Sequence, residues 1–253
     1  MNQSLKVQRS FSKSSGQYDE YSQLHRSIAN ELFLYIPKKL NPLKVLDIGC
    51  GTGYLTGQLK TRWPRARIVG LDFSPGMIEK AQSTYQGIDW ILADNASLPF
   101  VDHQFDVVVS NLSYQWVEDL VKAFAEVRRV LAPGAVFAAT IFGQHTCSEL
   151  LDLLQEVVGI KTKKLPSQAA IQEAIDHNGF KNVGIHTAKN KIEFDNLYAL
   201  LAWLKNIGAN ALPYEGFLGK DALAKTAVKY QEEFPLGNGI AATFEVISVY
   251  AQK

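Results

Sequence analysis

Residues 45–56 read VLDIGCGTGYLT: an apolar run with one acid inside it, then glycines at 49, 51 and 53. A strand too apolar to have a solvent face belongs to a sheet covered on both sides. The glycines that follow admit positive φ and let a ligand approach the backbone closely. The rhythm continues downstream. Pro64 ends the helix in YLTGQLKTRW, RIVGLD is a second buried strand, and SPGMIEKAQ is a helix with Ser74 at its N-cap and Pro75 at its first position. IDWILAD and FDVVVSN give strands three and four. DLVKAFAEVRRVL is an amphipathic helix ended by Ala132-Pro133-Gly134, and AVFAATIF is the fifth strand. Strands alternating with helices at this spacing predict a doubly wound α/β sheet.

On either side the pattern changes. Residues 20–36 place Leu24, Ile28, Leu32 and Tyr35 on one helical face, stopped by Pro37. After Phe142, helices are expected over 147–158 and 167–178, the second capped by Ser167. VGIHTAK reads as a sixth strand and TFEVISVYAQK as a seventh. The fold expected is Rossmann-like: a seven-stranded, mostly parallel sheet with helices on both faces. It carries an N-terminal helical arm (1–42), a ligand-binding core (43–142) and a helical insertion (190–242) between strands six and seven, all in a single domain (1–253). The insertion is too long for a simple crossover, and segments of that kind are where specificity resides.

Composition narrows the functions. Hydrophobic content of 47% and charged content of 20% are those of an ordinary globular enzyme, and the formal net charge of +1 gives no global attraction to nucleic acid or membrane. No signal-like apolar core opens the sequence, and no run of about 18 apolar residues occurs. Two cysteines, Cys50 and Cys147, cannot make a disulfide framework, so a reducing cytoplasm is expected. The five histidines show no metal-ligand spacing, and no metal site is expected.

Ligands of doubly wound sheets bind at the carboxyl ends of the strands. Those ends hold Asp47 with Gly49-Cys50-Gly51-Thr52-Gly53, then Asp72-Phe73, Asp94-Asn95 and Ser110-Asn111. Asp72 lies 19 residues after Gly53, where a carboxylate can take two hydrogen bonds from a ribose diol. A dinucleotide site requires G-x-G-x-x-G, and counting from Gly49 the last position is Tyr54. The turn is shaped for another nucleoside-bearing ligand.

The ordered motifs VLDIGCGTG, GLDFSPGMIEKA, ADNASLPF, FDVVVSN and EVRRVLAPGA resemble those of class I S-adenosylmethionine-dependent methyltransferases over residues 43–142. The resemblance implies S-adenosyl-L-methionine as cofactor and S-adenosyl-L-homocysteine as product. By position, Asp47, Gly49, Cys50, Gly51 and Gly53 would pass its methionine part, and Asp72 its ribose. Phe73 and Met77 would flank the adenine, Asp94 would accept from its amino group beside Asn95, and Asn111 would lie near the sulfonium. Arg128 and Arg129 recur in the broad pattern as structural supports.

The flanks FSKSSGQYDEYSQLHRSIANEL, NLSYQWVEDL, FGQHTCSEL and LKNIGAN are similar to the malonyl-acyl carrier protein O-methyltransferases of biotin synthesis. Gly134-Ala135 departs from the usual Gly-Gly, and Cys147 from a common Leu. That narrower resemblance implies attack by a malonyl thioester's free carboxylate on the sulfonium methyl. A carboxylate is ionised at neutral pH and needs no general base. Tyr18, Gln115 and Trp116 are candidates for the methyl-side wall, and Tyr21, Arg26, Lys205 and Asn210 for substrate contact. His25 and Arg26 face either the pocket or solvent. A carrier protein is acidic, and the basic clusters Lys161/Lys163/Lys164 and Arg62/Arg65/Arg67 are the candidate docking surfaces. The alternatives are methylation of another small acid, a quinone precursor or a lipid, and a non-catalytic cofactor-binding regulator.

Overall fold

A computed structural model of the chain describes residues 3–159, 161–162, 164–209, 214–215 and 219–253. Seven strands form the main sheet: β1 (Lys44–Ile48), β2 (Arg67–Asp72), β3 (Asp89–Leu92), β4 (Phe105–Asn111), β5 (Leu131–Phe142), β6 (Lys181–Phe194) and β7 (Gly239–Gln252). Their order is β3-β2-β1-β4-β5-β7-β6. The first five are parallel, while β7 enters antiparallel between β5 and β6. A two-residue strand, Pro235–Leu236, also pairs with β7, and Lys161–Thr162 pairs with Tyr214–Glu215 apart from the sheet.

The central strands are continuous because both faces are covered: Val45, Leu46, Ile48, Val107, Val108 and Val109 are all fully buried. On one face Phe105, Tyr114 and Phe137 pack with Phe124 of α6 (Leu120–Val130) and Ile171 of α8 (Gln168–His177). On the other, Ala29 and Leu32 meet Leu55 and Leu59 of α4 (Tyr54–Arg62). The expected start of α5 (Pro75–Thr84) at Pro75 is observed, but Ser74 caps no N–H through its side chain.

Four readings are corrected. Residues 20–36 form α2 (Tyr18–Tyr21), α3 (Gln23–Leu32) and a 3-10 turn at Phe33–Tyr35, not one helix. Buried Ser22 interrupts it by donating its hydroxyl to the Asp19 carbonyl, the local competition Ser offers a helix. A further helix, α1 (Gln3–Ser14), precedes them. The third strand is shorter than IDWILAD and lies at the sheet edge, with Leu92 53% exposed. Finally, β6 runs on to Phe194 and β7 begins at Gly239, so the segment between them is 195–238 rather than 190–242. It holds α9 (Leu197–Asn206) and α10 (Lys220–Glu233). With α7 (Ser148–Val158) and α3 they enclose a separate apolar cluster that includes Ile28, Leu150, Leu200, Tyr230 and Phe244. Neighbours β2 and β4 leave β1 in opposite directions, and the crevice at their carboxyl ends is the switch point of the sheet.

Candidate active site

The turn after β1 folds back on β2. The Gly49 and Cys50 N–H groups donate to the Leu71 carbonyl at 2.7 and 2.9 Å, and Gly51 N–H donates to Asp72 Oδ2 at 2.9 Å. The other Asp72 oxygen accepts from Ser74 N–H at 2.8 Å. Gly49 (φ 71°) and Gly53 (φ 91°) admit no side chain: a Cβ would overlap Ser113 at the first and sit 2.7 Å from the Trp90 ring at the second. Two acids stand in this dry turn. Burial pushes Asp72 up to about 6 against the N–H bonds from Ser74 and Gly51. Burial likewise pushes Asp47 up to about 7, opposed by the Thr56 hydroxyl, which donates to Oδ2 at 2.6 Å; Asp47 Oδ1 is buried with no partner.

Three cavities surround the turn. The first lies between Asp47, Gly49, Gly51 and Thr52 on the core side and Tyr18, His25 and Arg26 on the arm. The second is apolar, walled by Phe11, Leu112, Phe142, Trp203, Leu204 and Phe244, with Gln115 and Trp116 at its rim. The third, of ≈ 320 Å³, runs from Phe73, Asp94 and Asn95 to Ser113, Trp116 and Asp119. Tyr18 and His25 line both the first and the second, and Trp116 both the second and the third. Buried polar atoms without a partner gather here: His25 Nδ1, Arg26 Nε, Asp47 Oδ1 and Gln115 Oε1 are four of the seven among the described residues. Such atoms are rare unless a ligand or water takes them.

The arm is tied across the mouth of this site. Gln8 donates to the Phe73 carbonyl at 2.7 Å, and the Ser12 and Ser74 hydroxyls share a bond of 2.8 Å. Asp19 accepts from Thr52 Oγ1 at 2.7 Å and pairs with Arg26 at 3.1 Å. Ser14 Oγ donates to the Lys205 carbonyl at 3.3 Å, and the Phe11 ring lies edge-on to Phe73 and Trp116.

The structure brings most of the sequence-chosen residues to these cavities, though several do other work. Cys50 is buried in the first cavity, its thiol pushed well up by burial. Asn111 lines the same cavity, donates to the His25 carbonyl at 3.1 Å and is oriented by the Thr140 hydroxyl at 2.7 Å. Asn95 donates to Ser113 Oγ at 3.1 Å, and Asp94 caps the Ala96 N–H at 2.8 Å. Gln115 donates to the Leu112 carbonyl at 2.7 Å. Met77 is packed inside α5 at 1% exposure and lines none of the three cavities. Tyr21 lines none either; its carbonyl accepts from Trp203 Nε1 at 2.9 Å. Arg26 faces the first cavity, not the apolar one, and stacks over Tyr54. Lys205 is exposed on the far side of α9, and Asn210 lies outside the described residues.

Sequence reasoning left out Ser113, Asp19 and Trp203, gave Thr52 in the turn no role, and did not settle on His25. The spacing Tyr18, Tyr21, His25 was a helical signal for His25, but its other neighbours, Phe142 and Trp203, come from distant segments. Of the basic clusters, Arg62 stacks on Phe33 and Trp63, and Arg67 pairs with Asp89 at the amino end of β2, opposite the site. Lys163 and the Lys161 side chain lie outside the described residues. Arg129 is structural: it pairs with Glu126 and Asp102 and donates to the Phe100 and Leu98 carbonyls.

Comparison with known proteins agrees with this geometry. The family model described as "Methyltransferase domain" matches residues 45–134. Malonyl-[acyl-carrier protein] O-methyltransferase of Geobacter sulfurreducens is 30% identical, over 96% of each chain. The biotin biosynthesis bifunctional protein BioHC of Cellvibrio japonicus is 29% identical over 95% of this chain, which spans about half (48%) of that relative's length. Among solved structures, YcgJ of Bacillus subtilis superposes with a TM-score of 0.65 at 18% identity, covering 90% of this chain and 98% of that one. Geranyl diphosphate C-methyltransferase of Streptomyces coelicolor, solved with S-adenosyl-L-homocysteine, superposes at 0.54 and 14% identity, covering 89% and 78%. The doubly wound sheet and the glycine turn at its switch point are thus those of a methyltransferase, and the chain belongs to the family of the malonyl-[acyl-carrier protein] O-methyltransferases.

Proposed function

We propose that the chain methylates the free carboxylate of a malonyl thioester on an acyl carrier protein, with S-adenosyl-L-methionine as methyl donor, in the cytoplasm. The observation that carries this reading is the junction at Tyr18 and His25. One polar, acid-bearing cavity and one apolar cavity meet there, behind the arm.

The residues fit the donor. The ammonium of the donor's methionine end would meet partnerless Asp47 Oδ1, and its backbone would run along Gly49, Gly51 and Gly53 with Cys50 beside it. Asp72 keeps lone pairs free for a ribose, since each oxygen accepts one N–H. Phe73, Asp94 and Asn95 would hold the adenine in the third cavity, with Asn111 on the opposite side of the turn. When bound, S-adenosylmethionine supplies a methyl group on a positively charged sulfur that departs as a neutral thioether.

The protein's part is to hold the acceptor and keep water away. Among the described residues, no Lys, Arg, Asp or Glu lines the apolar cavity. Burial lowers His25 to about 4, so its imidazole is neutral. A carboxylate entering this cavity would meet the Tyr18 hydroxyl, the neutral His25 ring and the Gln115 amide. Its charge would stay available for attack. Trp116 and Phe11 would close the water side.

Methyl transfer should be measured with malonyl-carrier protein, malonyl-coenzyme A, malonic acid and other small diacids, alongside calorimetric binding of the donor. Methylation of the carrier-bound thioester in preference to free diacids is expected. Donor binding with methylation of no malonyl thioester would overturn the acceptor and leave the donor assignment standing.

A further inference from the structure

On the outer side of the arm a fourth cavity, of ≈ 140 Å³, is lined by Ser10, Lys13, Ser14, Gln17, Lys205 and Asn206. Its wall has two parts. Ser10, Lys13, Ser14 and Gln17 follow one another at helical spacing down the end of α1 and just past it. Lys205 and Asn206 close α9. The two elements are locked at this seam: Ser14 Oγ reaches the Lys205 carbonyl, and a Cβ on Gly208 would sit 2.8 Å from the Phe11 ring.

The opposite faces of the same two helix ends, carrying Phe11, Leu204 and Ile207, wall the apolar cavity. One layer of side chains therefore separates a polar outer pocket from the proposed acceptor chamber. Lys13 and Lys205 are exposed, and among the described residues no carboxylate lines the pocket. Two ammonium groups with the side-chain amides of Gln17 and Asn206, and no carboxylate opposite them among the described residues, suit an anion with several acceptor oxygens. The neutral, apolar chamber behind suits the uncharged part of the same molecule.

We propose that this pocket seats the phosphate of the substrate's phosphopantetheine arm, with the rest of the arm running over the α1–α9 seam toward the Tyr18–His25 junction. The proposal rests on the reading that the acceptor is a malonyl thioester. It assigns Lys205 to the arm's phosphate, away from the reacting carboxylate, and it makes α1 part of substrate recognition as well as of the cover.

The test uses two acceptors that differ by one phosphate: malonyl-4′-phosphopantetheine and malonyl-pantetheine. In the unmodified enzyme the phosphate should lower KM by about tenfold, the scale of two exposed charge contacts. In the Lys13→Gln/Lys205→Gln double variant that difference should vanish, with kcat and the KM of malonyl-pantetheine unchanged. Both lysines are exposed, so the fold should survive; donor affinity and thermal melting verify it. A phosphate-dependent KM ratio that is the same in variant and parent would overturn the proposal, as would no ratio in the parent. If the parent methylates neither thioester, the acceptor reading has failed. Calorimetry with 4′-phosphopantetheine alone then decides the pocket: binding lost in the double variant upholds an anion site, and no binding to the parent sinks it.

Discussion

Burial keeps His25 near 4, so through the neutral range its ring offers one N–H and one acceptor and no charge. His25→Gln keeps a neutral donor, whereas His25→Phe removes it. We expect the first to retain most of kcat/KM for the malonyl acceptor and the second to lose about thirtyfold, the cost of a buried hydrogen bond to a charged partner. Parallel measurement of donor affinity shows which cavity the ring serves: an unchanged donor Kd with raised acceptor KM assigns it to the acceptor. Asp47 and Asp72 set the pH behaviour. Their folded values, about 7 and about 6, lie above the unfolded 3.8, so the folded protein holds protons that the unfolded chain has released. Stability should therefore fall as pH rises from about 4 to 7 and level off beyond, while affinity for a cationic donor rises over pH 5.5 to 8 as both acids ionise. Melting curves and calorimetric titrations across that window check the two slopes, and Asp47→Asn should shrink both, leaving the part set by Asp72. The acids and glycines were legible in sequence because backbone geometry dictates them: Gly49 and Gly53 need positive φ and have no room for Cβ. His25 was not, since its character comes from Tyr18, Phe142 and Trp203, brought together only by folding.

At the scale of elements, the arm is the part that joins the proposed donor and acceptor. Asp19 links α2 to the glycine turn through Thr52 and to α3 through Arg26. Asp19→Ala removes both. Because the pair is about one-third exposed, the cost in global stability should be small, about 1 kcal/mol or less. The local effect should be larger: donor dissociation, followed by stopped-flow fluorescence of Trp116, on which Phe11 of the arm rests, is expected to quicken by about tenfold, as loosened lids release their ligands faster. Unchanged dissociation would show that the arm's other ties, through Gln8, Phe11, Ser12, Ser14 and the Tyr21 carbonyl, hold it without Asp19. Element positions were readable wherever burial imposed a period, as in β1, β2, β4 and α6. They were misjudged where local chemistry or the sheet edge intervened: Ser22 splits the arm helix, and β3, paired on one side only, stops at Leu92. The extension of β6 to Phe194 was hidden because its pattern is mostly polar and half-exposed, which reads as a loop.

For the whole molecule, the proposed donor should act as a staple between core, arm and insertion. At a concentration 100 times its Kd it would add about 2.7 kcal/mol, which for a chain of this size raises the melting midpoint by roughly 5–10 °C. Hydrogen exchange should slow most in α1, α3 and α9, and a slowing confined to the central sheet would contradict the arm's role. Sequence rhythm gave the architecture of the core because a parallel sheet repeats one unit. It left the far side of the sheet loosely drawn, since that side depends on an antiparallel strand arriving from far downstream in sequence. That strand, β7, is the sheet partner that both holds β6 and completes β5. During synthesis, residues 143–238 therefore emerge before the surface that will hold them exists, a wait on the order of 5–20 s at ordinary translation rates. For that interval the long edge of β6 and the leucines of α7 and α9 lack the surface that covers them in the folded protein, and each is a place where a chaperone or a neighbouring nascent chain would bind.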